Sequence, residues 1–218
     1  GRISAEQDYG ALVGGFRRIT DLPEAGDDSA PAWSRAELTK RQIAAGMTLE
    51  DVEMILAPMI EDGKEAIGSM GDDTPLAVIS DKPRLISQFF RQNFSQVTNP
   101  PIDSLRERHV MSLKTRFSNL ANILEEKSQN ADVLVLDSPV LTAHDWRKLK
   151  SAFGPLGAEI DCTFDISAGQ EGLRAAITRI REEAVAAVRM GKSELFLTDD
   201  NISEDRVGIA MILAAAAV

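Results

Sequence analysis

Apolar positions in the C-terminal third of the chain recur with two different periods, which predict alternating strands and helices. Between Gly169 and Gly191 an apolar residue returns every three or four positions, which is typical of an amphipathic helix. Short apolar runs at 133–136 and 195–197 predict buried strands, and alternation over 160–166 predicts another. Strands that alternate with helices indicate βα units, so we expect an α/β fold with a partly parallel sheet and flanking helices.

Two capping patterns predict a pair of helices nearer the N-terminus. Ser34 precedes Glu37 by three residues, and Thr48 precedes Asp51 by the same distance. The first helix is expected to end at Gly46. The second carries an apolar stripe at helical spacing: Leu49, Val52, Met54, Ile55, Met59 and Ile60. Methionine at this spacing is usually core filler, so we interpret the stripe as part of the core.

Further elements follow from shorter signals along the chain. Residues 76–79 predict a buried strand, and 82–94 an amphipathic helix. A helix is predicted from Thr142 to Phe153, and a last one opening at Ser203 with Arg206. Thr98-Asn99-Pro100-Pro101 predicts a rigid extended loop, because a residue before proline is pushed out of the helical region.

Composition narrows the class of protein. The chain has 218 residues and a formal net charge of −10, which argues against a nucleic-acid partner. No apolar run approaches the roughly 20 residues that a membrane span needs. The acidic, turn-rich residues 21–33 predict a linker. Since the chain starts with Gly1 and its last apolar run ends at Val218 without a stop signal, we expect an excised start and a truncated C-terminus.

Candidate chemistry is sparse. The two histidines, His109 and His144, have no second ligand at metal spacing. The single cysteine, Cys162, falls on the apolar face of a predicted strand, which favours a buried structural thiol. One cysteine also argues for a reducing compartment, hence the cytoplasm. The residues alone predict an α/β domain with no catalytic site and no metal or cofactor of its own.

Three motifs resemble one family. They are ILAPMIEDGKEAIGSMGDDTPLAVISDKPR (55–84), FRQNFSQVTNPPIDSLRERHVMSL (90–113) and DSPVLT (137–142). Together they resemble the central domain of the glutamate synthase large subunit, and TRFSNLANILEE (115–126) is similar to its NADPH-dependent, α-proteobacterial branch. On this resemblance, 1–20 is the end of an amidotransferase domain, 21–33 a linker and 34–218 the central domain.

The resemblance implies a role inside a larger enzyme. Such an enzyme makes two L-glutamate from L-glutamine, 2-oxoglutarate and reductant, using FMN, iron–sulfur clusters and NADPH. Its amidotransferase and FMN domains, and a small subunit, would be the partners of this chain. The implied fold is an incomplete barrel-like domain preceded by a helical N-terminal segment. An excised chain would be inactive and is expected to self-associate.

The same resemblance places candidate residues. Thr98, Asn99 and Pro100 are implied to line an ammonia tunnel, and Met70 and Gly71 to lie in an interdomain loop. The alternative at Asn99 is that its amide only completes a turn. The alternative for the whole chain is a free-standing α/β binding module or enzyme whose site the sequence does not reveal.

Overall fold

The computed structural model of the chain describes residues 16–25, 33–63, 66, 79, 81, 85–90, 102–117, 124 and 133–218. These residues fall in two compact units. The first lies within Gly1–Gly26, Arg116–Val135 and His144–Val218, and the second within Asp27–Thr115 and Leu136–Ala143.

A strand–helix–strand motif forms the centre of the first unit. Strand β4 (Gly157–Asp161) and strand β6 (Glu194–Thr198) pair in parallel, and helix α5 (Gly169–Arg189) connects them. Two shorter strands, β5 (Thr163–Asp165) and β7 (Arg206–Gly208), pair antiparallel next to this motif. The parallel pairing agrees with the strand–helix alternation in the sequence.

Helix α5 forms because its apolar stripe has a place to pack. Ala176, Ile180, Ala184 and Ala187 are its buried residues. The first three belong to one core cluster with Ile160, Cys162, Ile209 and Ala214. Gly191 ends the helical segment with φ 84°, a value that favours glycine because side chains rarely adopt it. Helix α6 (Met211–Ala217) follows and buries Ala214.

The remaining elements of the first unit include a three-stranded sheet in the order β1-β3-β2. Its strands are β1 (Arg17–Arg18), β2 (Thr115–Phe117) and β3 (Leu134–Leu136). Helix α4 (Ala143–Phe153) places Trp146 edge-on against Phe196 of β6, with ring centroids 5.3 Å apart. Short 3₁₀ turns occur at Ile19–Asp21, Gly154–Leu156 and Ile166–Ala168.

The second unit is helical where the structure describes it. Helix α1 (Arg35–Ala44) is capped by the Ser34 hydroxyl, which accepts a hydrogen bond from the backbone N–H of Glu37. Helix α2 comprises Leu49–Asp51, a π-helical turn at Val52–Leu56, and Ala57–Asp62. Helix α3 is Ser104–Val110, and a 3₁₀ turn covers Ile86–Phe89.

The π-helical turn in α2 has a local cause in the sequence. Pro58 lacks an N–H, and its ring would crowd the carbonyl four residues earlier in a regular helix. The backbone N–H of Ala57 instead donates to the carbonyl of Val52, which widens the turn. The Thr48 and Asp51 capping box at the start of α2 is confirmed.

Three sequence predictions need correction. No helix opens at Ser203 with Arg206, because Arg206 lies in β7, where its side chain bonds Thr163; the last helix starts at Met211. The strand expected over 160–166 is two strands, because the chain changes partner at Cys162, from β6 to β7. The core interpretation of the stripe on α2 is wrong for four of its members, whose exposed fractions are 71% for Leu49, 60% for Met54, 45% for Ile55 and 59% for Ile60.

The α/β class is confirmed, and the described residues form helices and small sheets without a closed barrel. The barrel-like topology, the helical N-terminal segment and the boundaries at 20 and 33 stay predictions. Residues 76–78 of the strand expected at 76–79 lie outside the described residues, and Ile79 lies in a turn with an exposed fraction of 95%, so the expectation of a buried strand is wrong at this residue. Of the helix expected at 82–94, the structure describes 85–90, where a 3₁₀ turn at Ile86–Phe89 replaces the expected α-helix. None of the helices in the described ranges has the length and apolar character to span a bilayer.

Candidate functional site

Polar side chains converge at the carboxyl end of β4, beside β5 and β7. The Asp161 carboxylate accepts hydrogen bonds from the Thr163 backbone N–H (2.9 Å) and hydroxyl (2.8 Å). It also accepts one from Nη2 of Arg206 at 3.1 Å. The Arg206 guanidinium in turn donates to the Thr163 hydroxyl (2.6 Å from Nη2) and to its carbonyl (3.2 Å). Arg206 therefore links β7 to both β4 and β5.

A second arginine reaches the same place from helix α5. Nη2 of Arg179 donates to the carbonyls of Asp161 (2.8 Å) and Thr163 (3.0 Å). These two carbonyls lie on either side of Cys162, where the chain passes from one strand pair to the other. Arg179 therefore satisfies backbone acceptors at the point where the strand ladder is interrupted. We call Asp161, Thr163, Arg179 and Arg206 the strand-end network.

The charged groups of the strand-end network stabilise the fold and are unsuited to proton transfer. Burial raises the pKa of the Asp161 carboxyl, but hydrogen bonds from Thr163 and Asn201 and the charge of Arg206 outweigh it, so the pKa lies below its ordinary value. A carboxylate that stays ionised near neutral pH is a poor general base or acid there. The network therefore holds strands together and offers no proton donor to a substrate.

The second unit contains an open cleft of about 540 Å³. Its lining carries charges of both signs, from Asp62, Arg108, Lys114 and Asp137, together with the His109 imidazole. Lys114 and Asp137 already pair at 3.3 Å. The side chains of Arg108, His109 and Lys114 are exposed, so water screens the charges of Arg108 and Lys114.

The remaining candidate groups have structural roles. Cys162 is fully buried, and burial together with the neighbouring Asp161 charge raises the pKa of its thiol, which makes the reactive thiolate scarce. The interpretation of Cys162 as a structural thiol is confirmed. Nε2 of His144 lies 2.9 Å from an oxygen of Glu24. Within the ranges that the structure describes, no three histidine, cysteine or acidic residues form a group that could hold a metal ion.

The structure does not describe the site residues that the resemblance predicts. Thr98, Asn99 and Pro100, and likewise Met70 and Gly71, are outside the described residues, so their roles stay predictions.

The cofactors of the resembled enzyme do not fit the residues that the structure describes. An iron–sulfur cluster needs several thiolate ligands, and the one cysteine of the chain is buried in the core. A flavin phosphate favours a helix N-terminus, but the first turn of α5, the longest described helix, carries the negative charge of Glu171. We therefore derive no chemical step through either group.

Comparison with known proteins decides the family. Residues 40–218 match the model of the glutamate synthase central domain. The chain belongs to this family. It is 58% identical to the glutamate synthase [NADPH] large chain of Azospirillum brasilense over 84% of its own length. It is 42% identical to the glutamate synthase [NADH] of Saccharomyces cerevisiae over its whole length, and 42% identical to the ferredoxin-dependent glutamate synthase 2 of Synechocystis over 82%.

The relatives of the family are much longer than this chain. The match covers 12% of the Azospirillum protein and 11% of the yeast protein. The family therefore identifies a domain of a large enzyme, and the enzyme's activity has to be proposed rather than read from this chain.

The strand-end network was missed at the sequence level. Asp161 and Arg206 are separated by 45 positions, and neither lies in a motif. Ser203 precedes Arg206 by three residues, which predicts a helix start, but the pairing of β7 with β5 overrides this pattern. A weak signal was available in Thr163 and Asp161, since an Asp two residues before a Thr often bonds its backbone N–H.

Proposed function

We propose that the chain is the central connecting domain of a glutamate synthase and acts as a scaffold between a glutaminase domain and an FMN-containing synthase domain. The match of residues 40–218 to the central-domain family carries this proposal. The parent enzyme would make two L-glutamate from L-glutamine, 2-oxoglutarate and reductant. The 58% identity to an NADPH-dependent relative favours NADPH as the electron source.

Exposed apolar side chains support a scaffold role. Leu49, Met54 and Ile60 on helix α2 have exposed fractions of 71%, 60% and 59%. Exposed apolar side chains in such density are typical of surfaces that another protein or domain covers. In the parent enzyme these side chains would contact a neighbouring domain, and in the chain alone they favour self-association.

The finer assignments of this proposal concern residues outside the described ranges. Thr98, Asn99 and Pro100 would form part of an ammonia tunnel, because the two prolines are expected to hold this loop rigid and an asparagine amide can hydrogen-bond neutral ammonia. Met70 and Gly71 would lie at a domain interface. FMN and the iron–sulfur clusters would belong to other parts of the parent enzyme, which would work with a small subunit in the cytoplasm.

Replacing Asn99 with Phe in the complete enzyme tests the tunnel assignment. We expect glutamine hydrolysis to continue while glutamine-dependent glutamate formation falls by about tenfold, since delivered ammonia loses its oriented path. Synthesis from added ammonium should keep the wild-type rate. Both rates can be measured in one assay, by following glutamine consumed and reductant oxidised.

The conservative change Thr98→Ser in the same loop is the matched control, and it should leave the two rates coupled. If hydrolysis and synthesis fell in strict proportion in Asn99→Phe, the tunnel assignment of this loop would be wrong.

A further inference from the structure

Helix α4 buries a positive charge. The Lys148 side chain is 7% exposed, and its Nζ lies 2.9 Å from Oε1 of Glu24. Moving an ammonium group out of water is costly unless an opposite charge or hydrogen bonds replace the water. Lys148 and Glu24 are 124 positions apart, so the contact fixes the placement of a distant segment of chain.

The same carboxylate is held a second time by the same helix. Nε2 of His144 lies 2.9 Å from Oε2 of Glu24. His144 and Lys148 are four residues apart, so they project from one face of α4. Both oxygens of a single carboxylate are therefore bound by one helix face, near the helix end whose dipole favours negative charge.

The segment that carries Glu24 is attached at two further points. Strand β1 pairs in parallel with β3, and the backbone N–H of Arg17 donates to the carbonyl of Val133 at 3.0 Å. Leu22 is buried, with an exposed fraction of 7%. Between them, the backbone N–H of Arg18 donates to the Asp21 carboxylate at 2.8 Å and fixes the turn. We call residues 17–24 the strap.

We propose that the strap is a conformational device, one end of which is held by charge. The Glu24 carboxylate docks this end on helix α4 through Lys148 and His144. Loss of the carboxylate releases this end while β1 stays paired with β3. The backbone ladder holds residues 17–18 without any side-chain charge. Leu22 and Glu24 hold the other end, and within the described residues the Glu24 carboxylate is the one that lies 2.9 Å from the buried Lys148 ammonium. Backbone hydrogen bonds therefore hold one end of the strap, whereas an ion pair and a buried apolar side chain hold the other. Each end can be released without the other.

Docking of the strap affects the sheet, because helix α4 contacts both the strap and strand β6. Trp146 lies between His144 and Lys148 in sequence and contacts Phe196 of β6, as does Phe153. Release of the strap leaves the Lys148 ammonium buried on one face of α4 without its carboxylate partner, which destabilises the packing of that helix. The strap precedes the region matched by the family model, residues 40–218, so the device goes beyond the proposed scaffold function and does not depend on it.

Hydrogen exchange of the full chain, read by mass spectrometry, tests the proposal with the variant Glu24→Gln. We expect the amides of residues 19–22 and 24 to exchange about tenfold faster, because Lys148 loses its charged partner. Peptides from helix α5 should keep the wild-type rate. Glu171→Gln is the matched control, since it removes an exposed carboxylate that lies 3.9 Å from Arg174 in the same unit.

The variant Lys148→Met is a second test, and we expect it to speed hydrogen exchange in the same residues. Faster exchange confined to the strap and α4 in both variants supports the device. Exchange in the strap no faster than in Glu171→Gln would overturn it. Equal acceleration throughout the first unit would also overturn it, because Glu24 would then contribute only to global stability.

Discussion

Replacing Ile180 with Ala is expected to lower the free energy of unfolding by about 3 kcal/mol. Ile180 has an exposed fraction of 0% and lies in the core cluster between α5 and the strands. Truncation removes buried apolar surface and leaves a cavity that the packed neighbours fill only in part. Urea unfolding followed by circular dichroism measures the loss.

Val188 on the same helix supplies the control for Ile180. It is 59% exposed, so Val188→Ala should change the free energy of unfolding by less than about 0.5 kcal/mol. Equal losses for the two variants would contradict the placement of the core against this face of α5.

Replacing Arg206 with Ala is expected to lower the free energy of unfolding by about 2 kcal/mol. Arg206 donates to the Asp161 carboxylate and to both oxygens of Thr163, so the change removes one donor from each of these partly buried groups. The side chains of Arg206 and Asp161 are 40% and 30% exposed, and water screens part of the loss. The matched control is Arg181→Ala, which removes an exposed arginine from α5.

Acid should reduce the difference between wild type and Arg206→Ala. The pKa of Asp161 is lowered in the folded chain, so its ionised form contributes stability above the ordinary aspartate pKa of about 3.9. This contribution is lost as the pH falls through the lowered folded value. A difference that stayed constant from pH 7 to acid would show that Arg206 acts without its partner Asp161.

Local sequence signals predicted the elements whose causes are local. Thr48 with Asp51 defined a helix start, and the apolar period between Gly169 and Gly191 defined the longest helix of the described chain. Both elements depend on interactions within a few residues or within one helix face, so the sequence alone is enough to predict them. The class α/β followed from the alternation of such elements.

Patterns within short stretches of sequence do not predict interactions between distant positions. The local pattern of Ser203 and Arg206 predicts a helix start, whereas the bonds of Arg206 to Asp161 and Thr163, which hold it in β7, cross more than 40 positions. The buried Lys148 was not recognised for the same reason, since its partner Glu24 lies in a stretch that reads as a linker. The tunnel candidates came from family resemblance, because Thr98 and Asn99 have no chemical signature of their own.

A chimeric enzyme tests the central claim most directly. Residues 40–218 of this chain would replace the matching segment of the Azospirillum glutamate synthase large chain, and glutamate formation from glutamine, 2-oxoglutarate and NADPH would be measured. If the chain is a central connecting domain, the chimera should retain glutamine-dependent synthesis coupled to glutamine hydrolysis, whereas the chain alone should form no glutamate. A folded chimera that hydrolyses glutamine and uses added ammonium, but forms no glutamate from glutamine, would contradict the claim.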